Sequence, residues 1–158
     1  MYTSTKSGAI PCFCTTVKKL SRLLARKYDD VLARSGINVT QLAVMRCISR
    51  RQGEPLARIA DELEMDRTSL YRAIAPMVRN GWLNMVDGIG ARSRTAIITR
   101  KGAQVLAKAG KSWDRIQDRL IGRFGKTKWI ALVAELNKLA ECAEAVSETQ
   151  EQHPEAKQ

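Results

Sequence analysis

Leu63-Glu-Met-Asp66-Arg-Thr-Ser-Leu70-Tyr-Arg72-Ala-Ile-Ala-Pro76-Met-Val-Arg79-Asn-Gly81 is the stretch that decides the fold. Asp66 is a residue type that accepts the unpaired N–H groups of a helix start. Leu70, Ala73, Ile74 and Met77 then recur at helical spacing, and Asn80-Gly81 stops the run. Pro76 removes one backbone hydrogen bond and is expected to bend the last turn. Upstream, Pro55 suits a first helical turn, and Leu56, Ile59, Ala60 and Leu63 supply an apolar face. Only Glu64-Met65 separates the two helices. Downstream, Leu83 to Val86 reads as a strand, Asp87-Gly88-Ile89-Gly90 as a turn, and Thr95 to Ile98 as the returning strand. Helix, short turn, helix and hairpin, in that order, predict a winged helix-turn-helix over residues 36–98.

Long helices flank this centre. Phe13, Val17, Leu20, Leu24 and Val31 form one apolar stripe, opposite Lys18, Lys19, Arg22, Arg26 and Lys27. That basic face reads as a solvated one. Gly36 ends the helix in the position of a left-handed cap. Asn38 with Gln41 forms a capping box for the next helix, whose buried side is Leu42, Met45 and Ile48. After Thr99, Leu106, Ala109, Trp113, Ile116 and Leu120 make a narrow seam of coiled-coil type. Gly122 and Gly125 are expected to break the chain before a last helix with Ile130, Val133, Leu136, Leu139 or Ala140, and Ala143. The expected class is mainly α with a small β-hairpin wing. Residues 1–11 are expected to be a flexible N-terminus, 12–35 and 99–147 helical dimerisation segments, and 148–158 a polar, frayed tail.

Composition narrows the function. Of 158 residues, 44% are hydrophobic, enough for a real core. The net charge of +11 points to a polyanionic partner, and the surplus lies in the first two thirds of the chain. No apolar run approaches the roughly 18–20 residues of a membrane span, and the N-terminus lacks a signal-peptide pattern, so a cytoplasmic protein is expected. Cys12, Cys14, Cys47 and Cys142 are too few and scattered for a disulfide framework. The one histidine, His153, stands in the polar tail, so neither a metal nor a cofactor is expected. No nucleophile is paired with a base, and Gly88-Ile-Gly90-Ala-Arg-Ser93 half-matches a dinucleotide fingerprint without a following helix. An enzyme is not expected.

The decisive stretch resembles the recognition helix of MarR-family transcriptional regulators. Gly36-Ile-Asn-Val-Thr-Gln41 is similar to that family's entry to its second helix, and Ile98-Thr99-Arg-Lys-Gly102 to its exit from the wing. The resemblance covers about Cys12 to Val146. It implies a homodimer with interlocked end helices and two winged lobes on a pseudo-palindromic, double-stranded DNA operator. One departure stands out. Arg92 matches the arginine that enters the minor groove, but Gly90 stands where the family usually has an aspartate.

In a helix-turn-helix, Arg67, Thr68, Ser69, Tyr71 and Arg72 lie off the apolar stripe and face the major groove, where arginine can fork to guanine. Arg92 and Arg94 belong to the wing, and narrow minor grooves attract inserted arginine. Cys47 and Cys142 read as small core hydrophobes. Cys12 and Cys14 stand at a helix start, which lowers a thiol pKa. The family's hydroperoxide sensors carry a reactive cysteine near this point followed by a tyrosine, a spacing that Cys14 and Tyr28 match. Lys18 replaces the sensors' other tyrosine. The resemblance also implies a small-molecule effector between the dimer helices and the lobe, near Tyr28, Met45 and Trp113. The leading expectation is a ligand- or oxidant-released repressor. The rivals are a redox switch through Cys14, a non-specific architectural DNA binder, and a coiled-coil interaction module.

Overall fold

The computed structural model describes residues 12–87 and 94–150. In chain order these are α1 (Phe13–Leu32), a short 3₁₀ turn (Ala33–Ser35), α2 (Val39–Arg50), α3 (Leu56–Glu62) and α4 (Arg67–Arg79). They are followed by β1 (Leu83–Asp87), β2 (Arg94–Ile98), α5 (Arg100–Phe124) and α6 (Lys126–Gln150). The chain divides into two compact units, one up to Asp114 and one from Arg115 onward.

The first unit holds the core. Leu42, Val44, Met45, Cys47 and Ile48 of α2 are buried with Leu56, Ile59 and Ala60 of α3 and Leu70, Ile74 and Met77 of α4. Trp82, Leu83 and Ala96 close it from the hairpin side. The hairpin is antiparallel, with Leu83 opposite Ile98 and Asp87 opposite Arg94. A bridge between Pro55 and Thr95 ties the start of α3 to the wing.

Local signals place each helix end. Asn38 Oδ1 accepts the Gln41 N–H at 2.8 Å, and Gln41 Oε1 accepts the Asn38 N–H at 3.1 Å. Asp29 Oδ1 takes the Val39 N–H at 2.7 Å, so α1 satisfies one of the four unpaired donors that begin α2. Gly36 adopts φ 76°, but it caps the intervening 3₁₀ turn rather than α1 itself. Thr99 Oγ1 donates to Gly81 O at 2.7 Å and accepts the Gly102 N–H at 3.0 Å, joining the end of the recognition region to the start of α5.

Two sequence expectations need correction. Gly122 does not break the chain: α5 runs through it to Phe124, and only Gly125, at φ 97°, interrupts the helix. A single glycine costs a helix about 1 kcal/mol, too little to stop one already propagating. Cys142 is not a core residue but is exposed on α6, as are Ile130, Leu132, Val133, Leu136 and Leu139 of the same helix. Cys47 is fully buried, as the spacing predicts.

The ends of α2 and α3 are pinned by charge. Glu62 accepts from Arg50 Nη2 at 2.5 Å and from Arg51 Nε. The hydrogen bond from Arg51, then that from Arg50, holds the Glu62 carboxyl down at about 2, against an ordinary 4.5. A carboxylate whose folded pKa is depressed adds stability above its unfolded pKa, and that contribution is lost as pH falls through the folded value. Urea midpoints should therefore drop between about pH 4.5 and 2. Glu62→Gln should flatten that limb, and an unchanged limb would show that the pair contributes nothing.

Candidate nucleic-acid interface

The buried edge of α4 is set by Leu70, Ile74 and Met77. Helical spacing places Thr68, Arg72, Ala75 and Arg79 on the opposite side, with Arg67 and Tyr71 on one flank and Ser69 on the other. Arg67, Thr68, Ser69, Tyr71 and Arg72 are all exposed. Arg79, also exposed, extends the outward row. Its position seven residues after Arg72 puts it on the same face of the helix, a signal present in the sequence.

The start of α4 is held by Asp66, whose carboxylate accepts the Ser69 N–H at 2.8 Å and the Ser69 hydroxyl at 2.6 Å. The Ser69 hydroxyl hydrogen bond, then its backbone N–H, draws the Asp66 carboxyl below its usual range. Ser69 thus spends its hydroxyl proton on the helix start and faces outward only as an acceptor. The turn before it is sharp: Glu64 sits at φ 49°, and the Met65 N–H reaches back to Ala60 O at 3.0 Å.

Two concavities flank α4. One, of about 650 Å³, is lined by Val39, Thr40, Ala43, the turn Leu63 to Asp66, Ser69 and Arg72. The other, of about 350 Å³, lies towards the wing between Pro55, Leu56, Ala57, Arg67, Leu70, Tyr71 and Arg94. The structure therefore brings Arg94 of β2 to the same cleft as Arg67 and Tyr71, and sets Arg72 on the far side. Arg92 lies outside the described residues.

The other sequence candidates fall elsewhere. Tyr28 and Trp113 meet in a stacked pair with centroids 6.4 Å apart, and the Arg46 guanidinium lies 4.2 Å above the Trp113 ring. Burial pushes the Tyr28 phenol up. Met45 is fully buried in the lobe. Arg46 was not singled out from sequence because nothing local marks a cation–π partner 67 positions away. Cys12 stands just before α1, exposed, and its sulfur accepts from Thr15 Oγ1 at 3.4 Å. That bond is the main cause of a thiol pKa below the ordinary value. Cys14 is exposed one residue into the helix.

Residues 41–86 match the family model described as the IclR helix-turn-helix domain. No curated protein matches the sequence. Among solved structures, the chain is similar to the M. tuberculosis transcriptional regulator MosR in complex with DNA. Identity is 29% and the TM-score 0.77, over 85% of this chain and 98% of that one. Its fold is also similar to the transcriptional repressor CouR bound to a 23-mer DNA duplex, at 21% identity and TM-score 0.75, covering 82% and 92%. A third likeness of fold is Sco5413, a MarR family transcriptional regulator from Streptomyces coelicolor. Identity there is 20% and the TM-score 0.72, over 84% of this chain and 93% of that one.

Proposed function

We propose that the chain is a winged helix-turn-helix regulator of the MarR type, which binds double-stranded DNA as a homodimer and represses transcription until a small ligand or an oxidant releases it. The observation that carries this reading is α4. It is rigidly capped, packed through one edge, and presents Thr68, Arg72 and Arg79 on the other with basic side chains around them. An exposed face of this kind on a finished lobe matches what a major groove accepts. No catalytic step enters the reading.

The homodimer rests on unpartnered apolar surface. Fourteen large apolar side chains are exposed among the described residues, and ten belong to α1 and α6. Monomeric proteins do not sustain such stripes, whereas a second copy covers them. The effector reading rests on the family resemblance, which implies a ligand near Tyr28, Met45 and Trp113; Tyr28 and Trp113 meet in a stacked pair, and Met45 is fully buried.

The test begins with selection of binding duplexes from a random library by the full chain. Recovery of a two-fold-related motif is expected, and recovery of no motif at low salt would overturn sequence-specific binding. Arg72→Ala should then weaken the selected duplex and relax preference at one base pair in each half-site, by about 1–3 kcal/mol of discrimination.

A specific observation favours a second reading, in which thiols control the same lobe. The family resemblance points to Cys14 as the reactive sulfur, but the Thr15 hydrogen bond favours the thiolate at Cys12. A mild hydroperoxide should lower affinity for the selected duplex, and Cys12→Ser should remove that response. An oxidant-insensitive wild type would end this reading.

A further inference from the structure

We propose that the cleft between α4 and the wing is a phosphodiester seat, in which Arg67 and Arg94 grip one DNA backbone phosphate and the Tyr71 hydroxyl supports it. This deepens the DNA-binding reading and rests on it. It divides the labour of the lobe, since Arg67, Tyr71 and Arg94 position the duplex while Thr68 and Arg72 face its bases.

Three features converge. The first is placement. Arg67 and Tyr71, four residues apart, share one side of α4, and the bridge between Pro55 and Thr95 brings Arg94 to the same cleft. A helix and a strand far apart in sequence thus set two arginines along a single space of about 350 Å³.

The second is electrostatic asymmetry. No acidic residue lines this cleft, whereas the concavity on the other flank of α4 contains Glu64 and Asp66 beside Arg72. Among the described residues neither Arg67 nor Arg94 makes an ion pair, although Asp87 stands opposite Arg94 in the ladder. Each guanidinium keeps its planar fork of donors for an oxyanion, and phosphate matches that fork.

The third is the floor. Leu56 and Leu70 are 3% and 1% exposed, so the base of the cleft is dry and apolar. A charge-assisted bond is stronger against such a floor than in open water. The apolar floor also suits the carbon face of a deoxyribose adjoining the phosphate.

The test uses the full-length protein with two probes, a mixed-sequence duplex and a duplex selected by the wild type. Arg67→Ala and Arg94→Ala should each weaken both probes about tenfold at 0.1 M salt, in keeping with the loss of a charged hydrogen bond. The double variant should reduce the steepness of the salt dependence by about 0.9 for every lobe engaged, and each single variant by no more than that. Because both arginines serve one phosphate, the double variant should lose less than the product of the two single losses. Tyr71→Phe should weaken both probes and leave the salt slope unchanged. If Arg67→Ala or Arg94→Ala shifts preference at a base pair instead, that arginine reads sequence and the seat is wrong. Fully multiplicative losses, or an unchanged salt slope in the double variant with normal wild-type binding, would also overturn it. Failure of the wild type to bind either probe at low salt would instead overturn the DNA-binding reading beneath it.

Discussion

Aspartate at both Leu136 and Leu139 of α6 is expected to turn a species of twice 17.6 kDa into a monomer in sedimentation at micromolar concentration. Both side chains are exposed in the single chain and lie on the broad apolar side of α6 with Leu132, Val133, Ala140 and Ala143. A buried leucine contributes about 2 kcal/mol. Two leucines counted in both copies give on the order of 8 kcal/mol, before the cost of placing carboxylates in an apolar seam. At 1.4 kcal/mol per tenfold, association should weaken by more than about 10⁵. The winged lobe has its own core and should keep its helical circular dichroism. A dimer that survives both substitutions would mean that α6 is not the seam.

The second large effect concerns a single hydrogen atom. Gly102 lies in the first turn of α5, and a Cβ there would fall deep inside van der Waals contact of the Trp82 carbonyl. The obstruction is backbone, fixed by the Thr99 N–H bonded to Trp82 O at 3.0 Å, so no rotamer relieves it. Gly102→Ala should cost about 3 kcal/mol, the upper end for overpacking. The melting temperature should fall by on the order of 10 °C. Gly110, two turns later in α5, has nothing within 4 Å of its Cβ position. Gly110→Ala should gain up to about 1 kcal/mol, because helix propensity acts there without a clash. Equal and small effects at both sites would show that α5 can slide away from Trp82.

The features readable from sequence were those whose cause lies within a few residues. Asn38 with Gln41 and Asp66 before Arg67 each act over one turn, and each is found where its local chemistry puts it. Apolar spacing likewise identified Leu70, Ile74 and Met77 as the buried edge of α4. Features with non-local causes were not readable. Glu64 holds a positive φ although it is not glycine, in the short turn that joins α3 to α4. The need for glycine at 102 comes from a carbonyl 20 positions away. Arg94 shares a cleft with Arg67 only because Thr95 bridges to Pro55. Periodicity placed Cys142 among apolar neighbours without telling a face packed within the chain from one left open.

Cys47 turns the lobe into its own stopwatch. Its sulfur is wholly shielded inside α2, and burial, together with a hydrogen bond to Glu62, pushes the thiol up and keeps it protonated. A thiol reagent meets Cys12 and Cys14 at the surface of the same chain, but it can reach Cys47 only during an opening that parts α2 from its neighbours. When reclosure outpaces the reagent, the labelling rate is the intrinsic rate multiplied by the open fraction. Alkylation followed at Cys47 itself therefore reads the opening free energy under native conditions, without denaturant.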